Sequence, residues 1–272
     1  MFVLKLSMLV NLDFRSQLRA LLGGSLELVL IWDNPMNEKT LEDFRKHTED
    51  SYPKEACGFI IGVGKKERYF PANNIAEFAE EHFIIDPVSY ADAEDIGAII
   101  GVCHSHPNEG CEPSEADKVA CETSNKPWHI LSWPGDRLHS WEPSGYEAPI
   151  VGRQFSYGVL DCCTLLRDYY KKELNIDFKC HSGQDGWWDK GENRYLDNYK
   201  EQGFVQIKDE DDIQKYDIFL IKLVSPVPNH AAVFIGDDKI LHHVHGRLSN
   251  RELYGGYWRK HTTHHLRHQS LC

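Results

Sequence analysis

His104-Ser105-His106-Pro107, followed after a short loop by Pro113-Ser114-Glu115-Ala116-Asp117, decides how the first half of this chain is read. The segment before it, residues 96–103, is apolar and β-branched and predicts a buried strand. Side chains alternate along a strand, so His104 and His106 share one face and Ser105 takes the other. Two imidazoles about 7 Å apart along the strand can grip one metal ion. Pro113-Ser114 reads as a cap, which brings Asp117 in on the first turn of a helix. Two histidines and one carboxylate leave a fourth position open for water, the arrangement of a catalytic rather than a structural zinc. Taken alone, Ser114 and Asp117 also fit a capping-box variant that needs no metal.

The combination of strand, His-x-His-Pro, short loop and Ser-x-x-Asp resembles the JAMM (MPN+) metalloprotease motif. The resemblance implies one catalytic zinc on His104, His106 and Asp117. It also implies an upstream glutamate, Glu55 in Pro53-Lys54-Glu55-Ala56-Cys57-Gly58-Phe59-Ile60, as general acid and base, and Ser114 as a donor to the oxyanion.

At 272 residues the chain is comfortable for two domains. A net charge of −12 argues against a nucleic-acid partner, which would need a basic face. No apolar run is long enough to span a bilayer. The cysteines at 57, 103, 111, 121, 162, 163, 180 and 272 lack the spacing of a disulfide framework, and the reading is of a protein made in a reducing cytosol. The opening Met1-Phe2-Val3-Leu4-Lys5 is interrupted by Asn11, Asp13 and Arg15 and has no small-residue cleavage site, so no signal peptide is expected.

Residues 1–35 read either as an extra packing arm or as the product of a start assigned upstream of Met36. From 36 to 142 the pattern predicts a mixed sheet flanked by helices: a helix near 39–50, strands over 57–63 and 67–71, another closing at 83–87, and a helix over 89–95. The His-x-His strand comes next, and then a hairpin of 128–133 with 137–141. Residues 143–152 have the turn-forming composition of a linker.

The second domain, 153–272, opens on a helix whose first turn holds Cys162, where the helix dipole and unpaired N–H groups favour thiolate. A lone cysteine there also fits a buried structural thiol. Strands are expected over 216–224, 228–236 and 239–244, with His230 at the mouth of the second. Residues 180–204 read as an aromatic-rich insertion that is mostly packing and partly groove lining. His261, His264, His265 and His268 read as surface residues of a strand end.

Cysteine at a helix start, then one histidine, then a second polar group on the next strand resembles the NlpC/P60 cysteine peptidases, which are papain-like, with a helix packed on an antiparallel sheet. The resemblance assigns Cys162 as nucleophile, His230 as base and His242 as its orienting partner. Hairpin geometry leaves the third member open. A two-residue loop pairs position 230 with 245 and puts His243 and His245 on the face of His230, whereas a three-residue turn or a bulge at Gly236-Asp237-Asp238-Lys239 puts His242 there.

The overall expectation is an α+β (mixed α/β) chain of two domains. Their combination, with stretches such as Tyr195-Leu196-Asp197-Asn198 and Pro228-Asn229-His230-Ala231-Ala232, resembles the lambda-like phage tail tip assembly protein K family. That implies a phage or prophage tail protein with peptidoglycan stem peptides and other tail tip proteins as partners. It would reside in the host bacterial cytoplasm during assembly or at the virion tail tip. A structural tail component with inactive sites and a bacterial cell-wall endopeptidase are the alternative readings.

Overall fold

In a computed structural model of the chain, residues 36–180, 186–209 and 212–272 are described. The expectation for residues 1–35 lies outside them, and both sheets belong to the unit Glu38–Cys272.

The first sheet has five strands in the order β2-β1-β3-β4-β5: β1 (Cys57–Val63), β2 (Lys66–Ala72), β3 (Ala98–Pro107), β4 (Trp128–Trp133) and β5 (Arg137–Trp141). Every neighbouring pair is antiparallel except β3 and β4, which run parallel. A parallel pair needs a crossover, and α3 (Glu115–Ser124) supplies it. The crossover leaves the C-terminal end of β3, so the first turn of α3 comes down beside His104 and His106.

Helix α1 (Glu38–Ser51) buries Leu41, Phe44 and Thr48 at helical spacing. Helix α2 (Pro87–Ile96) replaces the end of the strand expected at 83–87. Only one bridge, Asn74 to Ile85, survives there. Asp86 accepts hydrogen bonds from the Val88 and Ser89 N–H groups and Pro87 takes the first helical position, so Asp-Pro starts a helix instead of closing a strand.

Beyond residues 142–152 lies a second sheet, entirely antiparallel, in the order β10-β9-β8-β7-β11-β6. Its strands are β6 (Phe204–Ile207), β7 (Ile218–Ile221), β8 (His230–Gly236), β9 (Lys239–His242), β10 (Asn250–Leu253) and β11 (Thr262–His268). Helix α4 (Cys162–Leu174) packs Leu165, Leu166 and Tyr170 on Leu220, Ala231, Val233 and Leu241. Two short helices, α5 (Arg194–Asn198) and α6 (Gly256–His261), complete the unit. The α+β class and the helix-on-antiparallel-sheet arrangement are as expected.

The strand expected over 216–224 is trimmed to Ile218–Ile221, because Tyr216 and Val224 both have positive φ and leave the β region. The strand expected over 239–244 stops at His242. Cys163 and Cys180 form a disulfide, with Cα atoms 5.8 Å apart, a pairing that the cysteine spacing does not announce. Asn175 ends α4 in the left-handed conformation and turns the chain back, which brings Cys180 within reach of the first turn.

His265 is not a surface residue. Its Nε2 lies 2.6 Å from Asp217 Oδ2, and Arg267 donates to both oxygens of the same buried carboxylate. Burial alone would push Asp217 up; Arg267, His265 and the Gln214 amide hold it below the usual carboxylate range instead. A depressed carboxylate contributes stability above its unfolded value of about 3.9 and loses it as pH falls through the lower native value. Asp217→Asn, which leaves Arg267 buried without its main counter-charge, is expected to cost on the order of 3 kcal/mol. Urea unfolding at pH 7 measures this, and the gap from wild type should shrink below about pH 3.9.

Candidate functional sites

The first site is built on the mouth of β3. Its antiparallel register with β1 pairs Cys57 with His104, which continues to Glu55 beside His106. The reciprocal bonds of Ser105 N–H to the Ala56 carbonyl and of Ala56 N–H to Ser105 Oγ, 2.9 and 2.8 Å, pin this corner. Ser105 faces away, and His104 and His106 converge with their Nε2 atoms 3.1 Å apart.

Asp117 joins them from α3, with Oδ1 3.3 Å from His104 Nε2 and Oδ2 3.7 Å from His106 Nε2. Its Oδ2 also accepts from Ser114 N–H at 2.8 Å and from Ser114 Oγ at 2.7 Å, while Ser114 Oγ accepts from Asp117 N–H. The capping box and the ligand arrangement are therefore one structure. The Ser114 hydroxyl is committed to the carboxylate in the resting site.

The donor set fits zinc. Tetrahedral ligands about 2.0–2.1 Å from zinc stand roughly 3.3–3.4 Å from one another, which the separations of 3.1, 3.3 and 3.7 Å bracket. His106 Nδ1 lies 2.9 Å from the Gly110 carbonyl, an acceptor only, so its proton sits there and Nε2 presents a lone pair inward. These three side chains form a group able to hold a metal ion. Glu55 is buried, and burial pushes its carboxyl up to about 8. His106 draws it down, and the Asp117 and Glu109 charges add to the rise. A bound divalent cation would act in the opposite direction and bring the group toward neutrality, where a base works best.

The second site is built on the first turn of α4. Asp161 is its N-cap: its carboxylate accepts from the Thr164 and Gly158 N–H groups, and Thr164 Oγ1 accepts from the Asp161 N–H. That box places Cys162 at the first helical position. Opposite it, the turn Asp237-Asp238 has both residues at positive φ, and a bulge lies between Phe234 and Gly236. The bulge shifts the register by one and pairs Ala232 with His242. His242 therefore shares a face with His230, and His230 Nε2 lies 3.1 Å from His242 Nδ1. His243 lines the cavity beside Phe155 instead, and His245 lies against the same ring.

Cys162 and His230 line one cavity of about 260 Å³ with Trp187, Trp188 and Tyr195. In sequence Tyr195 belongs to the aromatic-rich insertion read as mostly packing and partly groove lining, with no catalytic role assigned to it. Its hydroxyl lies 3.1 Å from Cys162 Sγ, a contact with no local sequence signal because α5 returns from an insertion. The thiolate-favouring environment expected at the helix start is outweighed: burial pushes the Cys162 thiol up to about 11 and the Asp161 charge adds to it. Tyr195 and the N–H groups of Ala231 and Cys163 pull the other way. Burial, with His242 and His243 alongside, drives His230 down to about 3. Both shifts favour the neutral forms, thiol and imidazole, in the resting cavity.

Comparison with known proteins matches this division. Residues 37–144 match the family described as prokaryotic homologs of the JAB domain, and residues 152–267 match the NlpC/P60 family. The tail tip assembly protein K of Escherichia phage N15 is 34% identical over 238 residues, 87% of this chain and 97% of that protein. The chain belongs to the tail tip assembly protein K family. The protein of the same name in Escherichia phage lambda is 35% identical over 186 residues, 68% of this chain and 90% of that one. A JAB1/MPN domain protein from Archaeoglobus fulgidus is similar over 41% of this chain and 91% of its own, at 20% identity and a TM-score of 0.27. Within this family the chain carries two peptidase-type domains, JAB first and NlpC/P60 second.

Replacing Tyr195 by Phe removes one hydrogen bond to the sulfur. Losing about 1.4 kcal/mol raises a thiol by one unit and leaves tenfold less thiolate at a given pH. Iodoacetamide labelling of Cys162, followed by peptide mass spectrometry at pH 8.5, should slow about tenfold in Tyr195→Phe. Labelling of the exposed Cys272 should not change.

Proposed function

We propose that this chain is a phage tail tip protein with two hydrolytic sites: a Cys162/His230/His242 peptidase acting on peptidoglycan stem peptides, and a zinc peptidase or isopeptidase on His104, His106, Asp117 and Glu55. The observation that carries the first site is the meeting of Cys162 and His230 on one aromatic-walled cavity, with His242 bonded behind His230. Lys179 and Arg194 also line that cavity, which suits a stem peptide bearing free carboxylates, cut at the bond between D-Glu and the diamino acid. The domains correspond to residues 36–142 and 153–272, joined by 143–152. The named relatives support a place at the tail tip and contact with other tail tip proteins, with assembly in the host cytoplasm as part of the same reading. Among the described residues no helix is long and apolar enough to cross a membrane.

In the cysteine site, His230 Nε2 is occupied by His242, so Nδ1 is the nitrogen left for the thiol. As Sγ attacks the scissile carbonyl, His230 Nδ1 takes the thiol proton and then delivers it to the leaving amine. Water hydrolyses the thioester by the reverse proton route. Thr164 and Leu165 N–H groups donate to Asp161 and that of Cys163 faces the sulfur, which leaves the Cys162 N–H for the oxyanion. A neutral pair suits general-base attack better than a preformed thiolate–imidazolium.

In the other site, zinc would supply Lewis acidity, polarising the carbonyl and acidifying water. Glu55 receives the water proton and passes it to the leaving amine, which the burial-raised carboxyl can do near neutral pH. Ser114 holds Asp117 in place through the capping box.

Metal analysis of purified protein should find about one zinc per chain, and His104→Ala should find almost none; equal contents would remove the zinc site. Hydrolysis of a disaccharide-tetrapeptide should vanish in Cys162→Ala and persist in Cys163→Ser. A chelator should spare this activity and a thiol alkylator should abolish it. Loss with chelator alone would sink the cysteine reading.

A further inference from the structure

His242 meets His230 through its Nδ1, and its buried Nε2, with no hydrogen bond inside 3.5 Å among the described residues, faces Glu252 and Asn250. Glu252 Oε1 on β10 stands 3.6 Å from that nitrogen. Asn250 of the same strand pairs with His242 across the ladder and sends its amide to Glu252 Oε1 at 3.1 Å. Trp258 Nε1 donates to Glu252 Oε2 at 2.7 Å, and the Trp258 ring stands edge-on to His242 with centroids 4.4 Å apart. Arg247 Nη1 is 3.5 Å from Glu252 Oε1. Burial would raise the Glu252 carboxyl, but Trp258, Asn250, His242 and Arg247 hold it below its ordinary value. The group is therefore an ionised acceptor with no proton to give.

That charge decides which way the protons point. An imidazole pair sharing one hydrogen bond has two arrangements. In one, His230 carries its proton on Nε2 and donates to His242 Nδ1, and His242 carries its own on Nε2, facing Glu252. In the other, His242 Nδ1–H donates to His230 Nε2, so His242 Nε2 turns a lone pair toward a carboxylate and His230 is protonated on Nδ1. Only the first leaves His230 Nδ1 free to accept a proton.

We propose that Glu252 is a positioning residue, the fourth member of the cysteine site, which holds both imidazoles in the Nε2–H form and so keeps His230 a competent base. The proposal rests on the reading of Cys162 and His230 as nucleophile and base. The isosteric amide at 252 must then act in the opposite sense. Trp258 Nε1 can only donate, Arg247 is exposed and can turn to water, and the Asn250 amide can flip to offer its oxygen, so the oxygen of a glutamine side chain there turns to Trp258 and the NH₂ group faces His242 Nε2. An acceptor becomes a donor, and the relay reverses.

The test uses the full chain as wild type, Glu252→Gln and Glu252→Asp. Two-bond ¹H–¹⁵N correlation spectra report the tautomers of His230 and His242, and hydrolysis of a disaccharide-tetrapeptide reports kcat and KM. Wild type and Glu252→Asp should show both histidines protonated on Nε2. Glu252→Gln should show both on Nδ1, with kcat lower by about 10²- to 10⁴-fold, the upper figure being the effect of a wrong tautomer in a serine triad, and KM within about twofold. Unchanged tautomers in Glu252→Gln overturn the proposal, even if activity falls, because Glu252 would then only support Trp258 and Asn250. Wild-type protein that fails to cleave the muropeptide would sink the proposed substrate, while the spectra would still decide the role of Glu252.

Discussion

Both sites depend on a capping box at the first turn of a helix that faces the mouth of a histidine-bearing strand. In α3 the box is Ser114 with Asp117, and in α4 it is Asp161 with Thr164. Such a box fixes the first helical residues by satisfying N–H groups that would otherwise be orphaned. At the first site the acid of the box is itself the candidate ligand, with one oxygen on the cap and the other toward His104. At the second the box carries no reacting atom but sets Cys162 in front of β8. A helix start is worth about 1 kcal/mol in stability, yet here it decides where a reacting group stands.

The histidine pairs arise from strand period rather than from the helices. On β3 the alternation alone puts His104 and His106 together, which is why that pair was legible from the sequence, whereas Glu55 entered only through the family resemblance. On β8 and β9 alternation was not enough. Two candidate registers differed by one residue, and the bulge after Phe234 chose His242. A bulge at Ile235 has no firm local signature, although Gly236-Asp237-Asp238 allowed one. The choice between His242 and His243 lay in one inserted residue on a neighbouring strand.

The contacts that stayed hidden depend on chain returns. Tyr195 reaches Cys162 from across an insertion, Glu252 reaches His242 from a third strand, and Cys180 comes back to Cys163 after the turn at Asn175. Asp217 is far in sequence from His265 and Arg267 and meets them only because β11 inserts between β7 and β6. Composition placed His265 on the surface, since histidine near a polar terminus usually is. Its burial is visible only once the strand order is known. The raised thiol at Cys162 is the same kind of error: the helix terminus was read correctly, and the desolvation that outweighs it belongs to the tertiary structure.

The two domains share a support. Residues 143–152, which read as a linker, lie along α3: Glu122 accepts from the Ser144 and Tyr146 N–H groups, and Glu115 accepts from the Tyr146 hydroxyl and, just beyond the segment, the Gln154 N–H. Arg153, fully buried, then closes onto the Pro149 carbonyl and Asp168 of α4. The helix that delivers Asp117 to one site is thus bonded to the segment that leads into the other. Glu115 sits between Ser114 and Asp117, so the motif that reads as a metal site is also an anchor for the next domain. A turn-rich composition therefore described the conformation of this segment but not its freedom. The Glu122 and Glu115 carboxylates on one side and the buried Arg153 on the other tie this segment to α3 and α4 at both ends.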